Sequence, residues 1–438
     1  MAAEALGAVR ARSMPSISAP VALRYFVLYG LGGVLVYGVI ACGAVEPWSV
    51  FALRTMAAGL LALWALEQLA SGAELVLSPL YLPVLFFAAV AGAQWLLHRT
   101  AYAYMTHTAS LTYLAYAMLL LVGVQMLRTQ EDVKRLAGFL TVCGFLIAIF
   151  AVIQSLTSKN EIYWIVPVQG PSFIFGPYVN HNHYAGIMEM LAPFPLVLSM
   201  MEELTPPKRV LLAFAGVIMA GTIFLSLSRG GMTAFGCEVV FLAAVLWWKN
   251  ASRRSAAIFA AACLLILMFL LWLGGKSLVE RFVSFKDSAS YHTRIQIARD
   301  SIPMIKAHPV MGWGLGTFTT VYPRYRTFYG EVFVNAAHND YVEVLTETGA
   351  LGFAAVVGFL AVVYVRGFRK LRGSGLDLTQ AATLAALLGV TGILVHSFVD
   401  FNLQIPANAA TFYVIAAIAA ASFQPTGRPH RRSSRRAA

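Results

Sequence analysis

Four short stretches concentrate the side chains that could do chemistry in this chain. The first, HNDYVEVLTETG, sets His338, Asn339 and Asp340 ahead of Glu343 and Glu347, directly against an apolar run. Asp340, Glu343 and Glu347 fall at i, i+3 and i+7, so a helix presents all three on one face. Carboxylates in a first turn also favour the positive end of a helix, which alone can account for them. His338 precedes or begins that helix, where the dipole favours a neutral imidazole able to accept a proton. A lone histidine is more often structural, but this one adjoins Asn339 and Asp340 and faces a basic loop, which makes it a candidate general base.

The second stretch, LSLSRGGMTAF, places Arg229 between two apolar runs with Gly230 and Gly231 behind it. An interfacial arginine is the plain reading. The paired glycines would allow close backbone approach, and Ser226 and Ser228 add hydroxyls, so a phosphate seat is the sharper one. The third, GPSFIFGPYVNHNHYAGIMEM, sets Asn180, His181, Asn182 and His183 at the start of a span. Asn180 could simply cap the helix. Four consecutive polar side chains exceed what a cap needs, and binding of sugar hydroxyls is preferred. No metal is expected, since Glu189, the nearest acid, lies about two turns down the helix. In the fourth, VHSFVDFNLQIPAN, Asp400 and Asn402 stand near membrane depth, where an ionisable group is expensive and implies a partner. Arg229, Arg294 and His338 are the available partners, while His396 reads equally well as a packing histidine.

These stretches must be positioned by a membrane scaffold. Of 438 residues, 59% are hydrophobic and only 12% charged, about half the charge of a soluble domain. About twelve apolar stretches reach or approach span length, and they suit helices, not barrel strands. The expected fold class is therefore an all-α polytopic membrane protein of about 12 transmembrane helices with a large periplasmic loop. The expected organisation is helices 1–5 and a periplasmic segment in 1–182, helices 6–9 in 183–274, the loop in 275–344, helices 10–12 in 345–423 and a basic cytoplasmic tail in 424–438. The net charge of +12 does not point to nucleic acid, because most Lys and Arg residues fall in alternate connections, as the positive-inside rule expects. The exception is the long loop, with Arg294, Arg299 and Arg324 among its cations and Trp313 among its aromatics. That mixture suits an anionic, sugar-bearing ligand, or a lid lying on headgroups with its cations snorkelling.

Taken together, SRGG, HPVMGWGLGTF, AAHNDYVEVLTETGALG and DFNLQIPAN resemble the O-antigen ligase and polymerase superfamily of bacterial membrane glycosyltransferases, in that order over about the C-terminal two-thirds of the chain. The resemblance implies a GT-C-type fold in the bacterial inner membrane, acting on the periplasmic side without cofactor or metal. It implies an undecaprenyl-pyrophosphate-linked glycan as donor, lipid A–core or another glycan as acceptor, and membrane lipids around both. By the same resemblance His338 is the loop histidine, Arg229 and Arg294 the essential arginines, with Arg299 competing for the second place, and Asp400 the late acid. Asp340, Glu343 and Asn339 would support the base. Asn180, His181, Asn182, His183, Arg299, Trp313 and Arg324 would contact substrate. A ligase is expected ahead of a polymerase. A lipid-linked oligosaccharide flippase would instead need charges through the span centres or broken inverted repeats, whereas the polar clusters of this sequence gather at one face.

Overall fold

The computed structural model describes residues 19–158, 161–168, 174–250, 252–272, 289–329, 333–373 and 375–422. The basic tail 424–438, the loop cations Lys276, Arg281 and Lys286, and part of the Gly/Pro stretch before Asn180 lie outside the described residues. The chain is mostly helical, with one short hairpin pairing Glu161–Ile162 to Val166–Pro167.

Helices follow the apolar stretches in order: α1 (Ala19–Ile40), α2 (Pro47–Ser71), α3 (Tyr81–Leu96), α4 (Ala103–Met126) and α5 (Gln130–Thr157). After the hairpin come α6 (His181–Leu191), α7 (Pro193–Leu198), α8 (Pro206–Leu225), α9 (Arg229–Trp248) and α10 (Arg253–Trp272). The long loop contains α11 (Ala289–Ala307) and the single turn α12 (Phe318–Val321), and the chain closes with α13 (Asp340–Lys370), α14 (Leu378–His396) and α15 (Pro406–Ala420). Among the described residues, eight helices are long and apolar enough to cross a membrane, and α3 and α15 are shorter apolar helices. The sixth apolar stretch is not continuous. It divides at Pro193, where the missing N–H and the ring oppose a straight helix.

The centre of the bundle is made of α6, α7, α14 and α15, whose side chains are buried on nearly every face. The Ala and Gly content of α14 and α15 lets backbones approach closely, which is how helices gain packing energy where the hydrophobic effect is weak. The outer helices leave Trp48, Phe51, Leu82, Leu85, Val240 and Trp247 exposed, as lipid-facing surfaces do.

The long loop has a small core of its own, built from Ile297, Met304, Phe318, Val321, Tyr322 and Ala337. Asp300 organises its polar side, accepting from Tyr322 Oη at 3.0 Å, Thr327 N at 3.1 Å, Thr327 Oγ1 at 2.7 Å and Gln296 Nε2 at 2.9 Å. Burial raises that carboxyl, but the hydrogen bonds outweigh it and hold Asp300 below the usual range.

The HPVMGWGLG segment fastens this loop to the bundle. Helix α13 is broken at Gly349, whose φ of 62° and ψ of −163° lie outside the helical region. Backbone groups freed there are taken up by the loop: Trp313 N donates to Thr346 O and Gly314 N to Glu347 O, both at 2.9 Å. In return Ala350 N donates to Pro309 O at 2.9 Å and Leu351 N to Val310 O at 3.1 Å. Gln94 of α3 completes the clasp, donating to Glu347 O at 2.7 Å and accepting from Leu315 N at 3.0 Å. A Cβ at Gly349 would lie 2.4 Å from the Val310 carbonyl, and one at Gly312 would lie 2.3 Å from the Glu347 carbonyl carbon, so glycine is required at both.

Candidate active site

The polar stretches converge where α6, α9 and α13 begin and α14 ends. At the centre is Asp400, in the turn after α14, with its side chain wholly buried. Its Oδ2 accepts from Asn182 Nδ2 at 2.6 Å and faces Arg294 Nη2 at 3.5 Å. Its Oδ1 accepts from Phe401 N at 2.9 Å and lies 3.4 Å from His338 Nδ1. Burial by itself raises the Asp400 carboxyl, but His338, Arg294 and His183 more than offset it and hold the group well below the ordinary carboxylate range. Asp400 is thus an anion that gathers a histidine, an arginine and an amide from three distant parts of the sequence.

His338 sits one residue before the cap of α13, with φ of +49°, a conformation that non-glycine residues rarely hold without surrounding support. That support is visible. Asn339 caps α13 by accepting from Tyr341 N and Val342 N at 3.0 and 3.1 Å, and its own amide donates to Phe398 O at 3.0 Å. The imidazole packs edge-on against Phe401 at 4.9 Å, and His183 packs on the same ring at the same distance. With Nδ1 turned to Asp400, Nε2 is the ring nitrogen directed away from that carboxylate.

Arg294 lies on α11, half-buried, and donates to the backbone oxygen of Val399 as well as facing Asp400. Arg299 is exposed. Five residues along a helix turn it through roughly 500°, so it cannot share Arg294's face. Arg324 is likewise exposed, in a 3-10 turn. Arg229 is the first residue of α9, following Leu227 with φ of +58° and the cap Ser228, which accepts from Gly231 N at 3.1 Å.

Several expectations need correction here. Gly230 and Gly231 do not form a turn cradling a ligand. They lie in the first turn of α9, where a Cβ at Gly230 would come within 2.5 Å of the His396 ring and 3.0 Å of Val399. The close approach is therefore to protein, and it brings Arg229 to the turn that carries Asp400. Ser226 and Ser228 are buried and bonded to backbone, so neither is presented to a ligand. Asp340, Glu343 and Glu347 do share one face, but they brace the fold. Asp340 accepts from Ser397 Oγ at 2.7 Å and Leu403 N at 3.1 Å, Glu343 from Ala337 N at 2.8 Å, and Glu347 from Phe318 N at 3.0 Å. The partner that orients His338 is Asp400, not Asp340 or Glu343. Asn180 serves as the cap of α6, accepting from Asn182 N at 2.9 Å. Trp313 is turned into the loop, its Nε1 donating to Met304 O at 2.9 Å and its ring 3.9 Å from His308.

Two features escaped the sequence reading. Asn182 is a direct partner of Asp400, hidden among three polar neighbours of equal promise. His396 Nδ1 lies 2.9 Å from Glu189 Oε1 in the buried interface beneath Gly230. Glu238 of α9 is also buried among the helices, so ionisable groups are not confined to one rim. Among the described residues no group of three or more His, Cys, Asp or Glu side chains is arranged to hold a metal. Beside the site, two apolar cavities of about 90 and 250 Å³ share Val84, Phe87, Tyr113 and Tyr413, and the smaller reaches Asp340, Tyr341 and Leu403.

No curated protein matches the chain. A family model described as "O-Antigen ligase" matches residues 214–357, a stretch that takes in Arg229, Arg294, His338 and the clasp at Gly349. Over that stretch, about a third of the chain, the sequence is similar to the O-antigen ligase family.

Proposed function

We propose that this chain is an inverting, metal-independent GT-C-type glycosyltransferase of about twelve spans, divided as the sequence suggests around a periplasmic loop in the bacterial inner membrane. It moves a glycan from undecaprenyl pyrophosphate to a sugar hydroxyl of lipid A–core. The observation that carries this reading is the buried Asp400 carboxylate, which holds His338 and Arg294 in one cluster. With its Nδ1 proton directed at Asp400, His338 takes the acceptor hydroxyl proton on Nε2. The hydroxyl oxygen bonds to the anomeric carbon as the bond from that carbon to the pyrophosphate oxygen breaks on the opposite face. Arg229 and Arg294 meet the charge that develops on the leaving pyrophosphate, with no proton exchanged. Asn182 and His183 border the acceptor side, and the apolar cavities by Asp340 suit the polyprenol tail.

The test is reconstitution with a lipid-linked glycan, with and without lipid A–core. A single addition that requires lipid A–core supports the ligase reading. A ladder of lengths on undecaprenyl pyrophosphate without a second acceptor makes the chain a polymerase, and no transfer in either arm removes the reading.

A further inference from the structure

The end of the bundle away from Asp400 holds a cavity of about 600 Å³ for which glycosyl transfer has no use. Arg366, Arg369, Lys370 and Arg372, at the close of α13, line it together with Asp377 and Gln380. Arg366 Nε donates to Ala420 O and Lys370 Nζ to Ile418 O, both at 2.9 Å, so these two tie α15 to α13. Arg369 and Arg372 are exposed. Asp377, the one carboxylate among the described lining residues, caps α14 by accepting from Gln380 N at 2.8 Å. Next to the cavity, Lys249 at the end of α9 holds the backbone on either side of Arg372, its Nζ donating to Leu371 O at 2.8 Å and Gly373 O at 2.9 Å. Cations therefore outnumber anions in a concave, water-reachable space.

Its depth is set by the helices. From Gly349 to Lys370 α13 runs about 32 Å at 1.5 Å per residue, close to the roughly 30 Å of a hydrocarbon core. Trp247 and Trp248, next to Lys249, are 84% and 50% exposed, as expected of aromatic anchors at headgroup level. We propose that this cavity binds the phosphate of an anionic phospholipid headgroup, with the Arg369 and Arg372 guanidinium groups on its free oxygens. The site lies at the opposite end of the bundle and stands whether or not the glycosyltransferase reading does.

The full chain, purified in detergent, would be titrated with phosphatidylglycerol, phosphatidylcholine or inorganic phosphate, and retained lipid counted by native mass spectrometry. Wild type should retain phosphatidylglycerol and not phosphatidylcholine, and excess inorganic phosphate should not displace it. Arg369→Gln with Arg372→Gln should weaken retention about thirtyfold, and Arg372→Gln alone about fivefold. Lys134→Gln, on the exposed face of α5, should change nothing. Equal retention of both lipids, or a double variant that binds as wild type does, overturns the proposal. Displacement of the lipid by phosphate alone, lost in the same double variant, overturns the lipid assignment in favour of a soluble oxyanion.

Discussion

Replacing Asp400 by asparagine removes one oxygen and one charge from the point where His338, Arg294 and Asn182 meet. The Asn182 and Arg294 donors both face Oδ2, so the new amide oxygen takes that side. Its NH₂ then faces His338 Nδ1 and also Phe401 N, which can only donate. An amide donor opposite Nδ1 favours the tautomer protonated on Nε2, where the ring can no longer accept a proton. The expected loss in turnover is therefore large, about 10² to 10⁴-fold. The stability loss is smaller. His338 and Arg294 stand at 3.4 and 3.5 Å, long for charge-assisted bonds, and the Arg294 side chain is 27% exposed. That argues for a cost of about 1–2 kcal/mol, below the 3–5 kcal/mol of a fully buried broken pair. Single-turnover transfer in proteoliposomes, set against the thermal midpoint, separates the two effects. Because the folded carboxyl is depressed, its stabilisation is present above the ordinary carboxylate range and is lost only as pH falls through the depressed value. Asp400 is thus ionised throughout the neutral range in the wild type. Asp340→Asn is the control: it should lose stability while its folded fraction keeps turnover near wild type. An Asp400→Asn protein with at least half of wild-type turnover would refute the reasoning, as would an Asp340→Asn protein that loses turnover to the same extent.

Other outcomes follow from the same geometry. His338→Ala should insert and fold normally yet transfer nothing, read by activity against thermal midpoint. Arg294→Ala should lower turnover at least about a hundredfold while Arg299→Ala stays near wild type, and the reverse order would assign the second arginine to Arg299. Arg229→Lys should retain more donor engagement than Arg229→Ala, measured as the donor concentration for half-maximal rate. Gly349→Ala should cost at least about 2 kcal/mol, seen as lost folded protein, because both the positive φ and the 2.4 Å approach to Val310 exclude a side chain.

Much of the scaffold was legible from hydropathy, since each apolar run became a helix, and the one run interrupted by Pro193 became two. The site was legible as a set of residue types near helix ends. Their pairing was not, because Asn182 and Asp400 are separated by 218 residues and nothing local distinguishes Asn182 from its neighbours. The carboxylates of α13 show a different limit. Spacing puts them on one face correctly, but whether that face meets substrate or backbone depends on the loop folded against it. Trp313 likewise stands among the loop aromatics suited to a sugar-bearing ligand, and the HPVMGWGLG segment that carries it proves to be a clasp because α13 breaks where the loop arrives.

The cluster around Asp400 draws on α6, α11, the start of α13 and the turn after α14, which leave the ribosome at widely different times. A nascent chain has no complete cluster around Asp400 until its last hairpin has joined the bundle. Under the proposed function, the carboxylate that faces the histidine would thereby also keep a half-inserted polypeptide inert toward lipid-borne sugars.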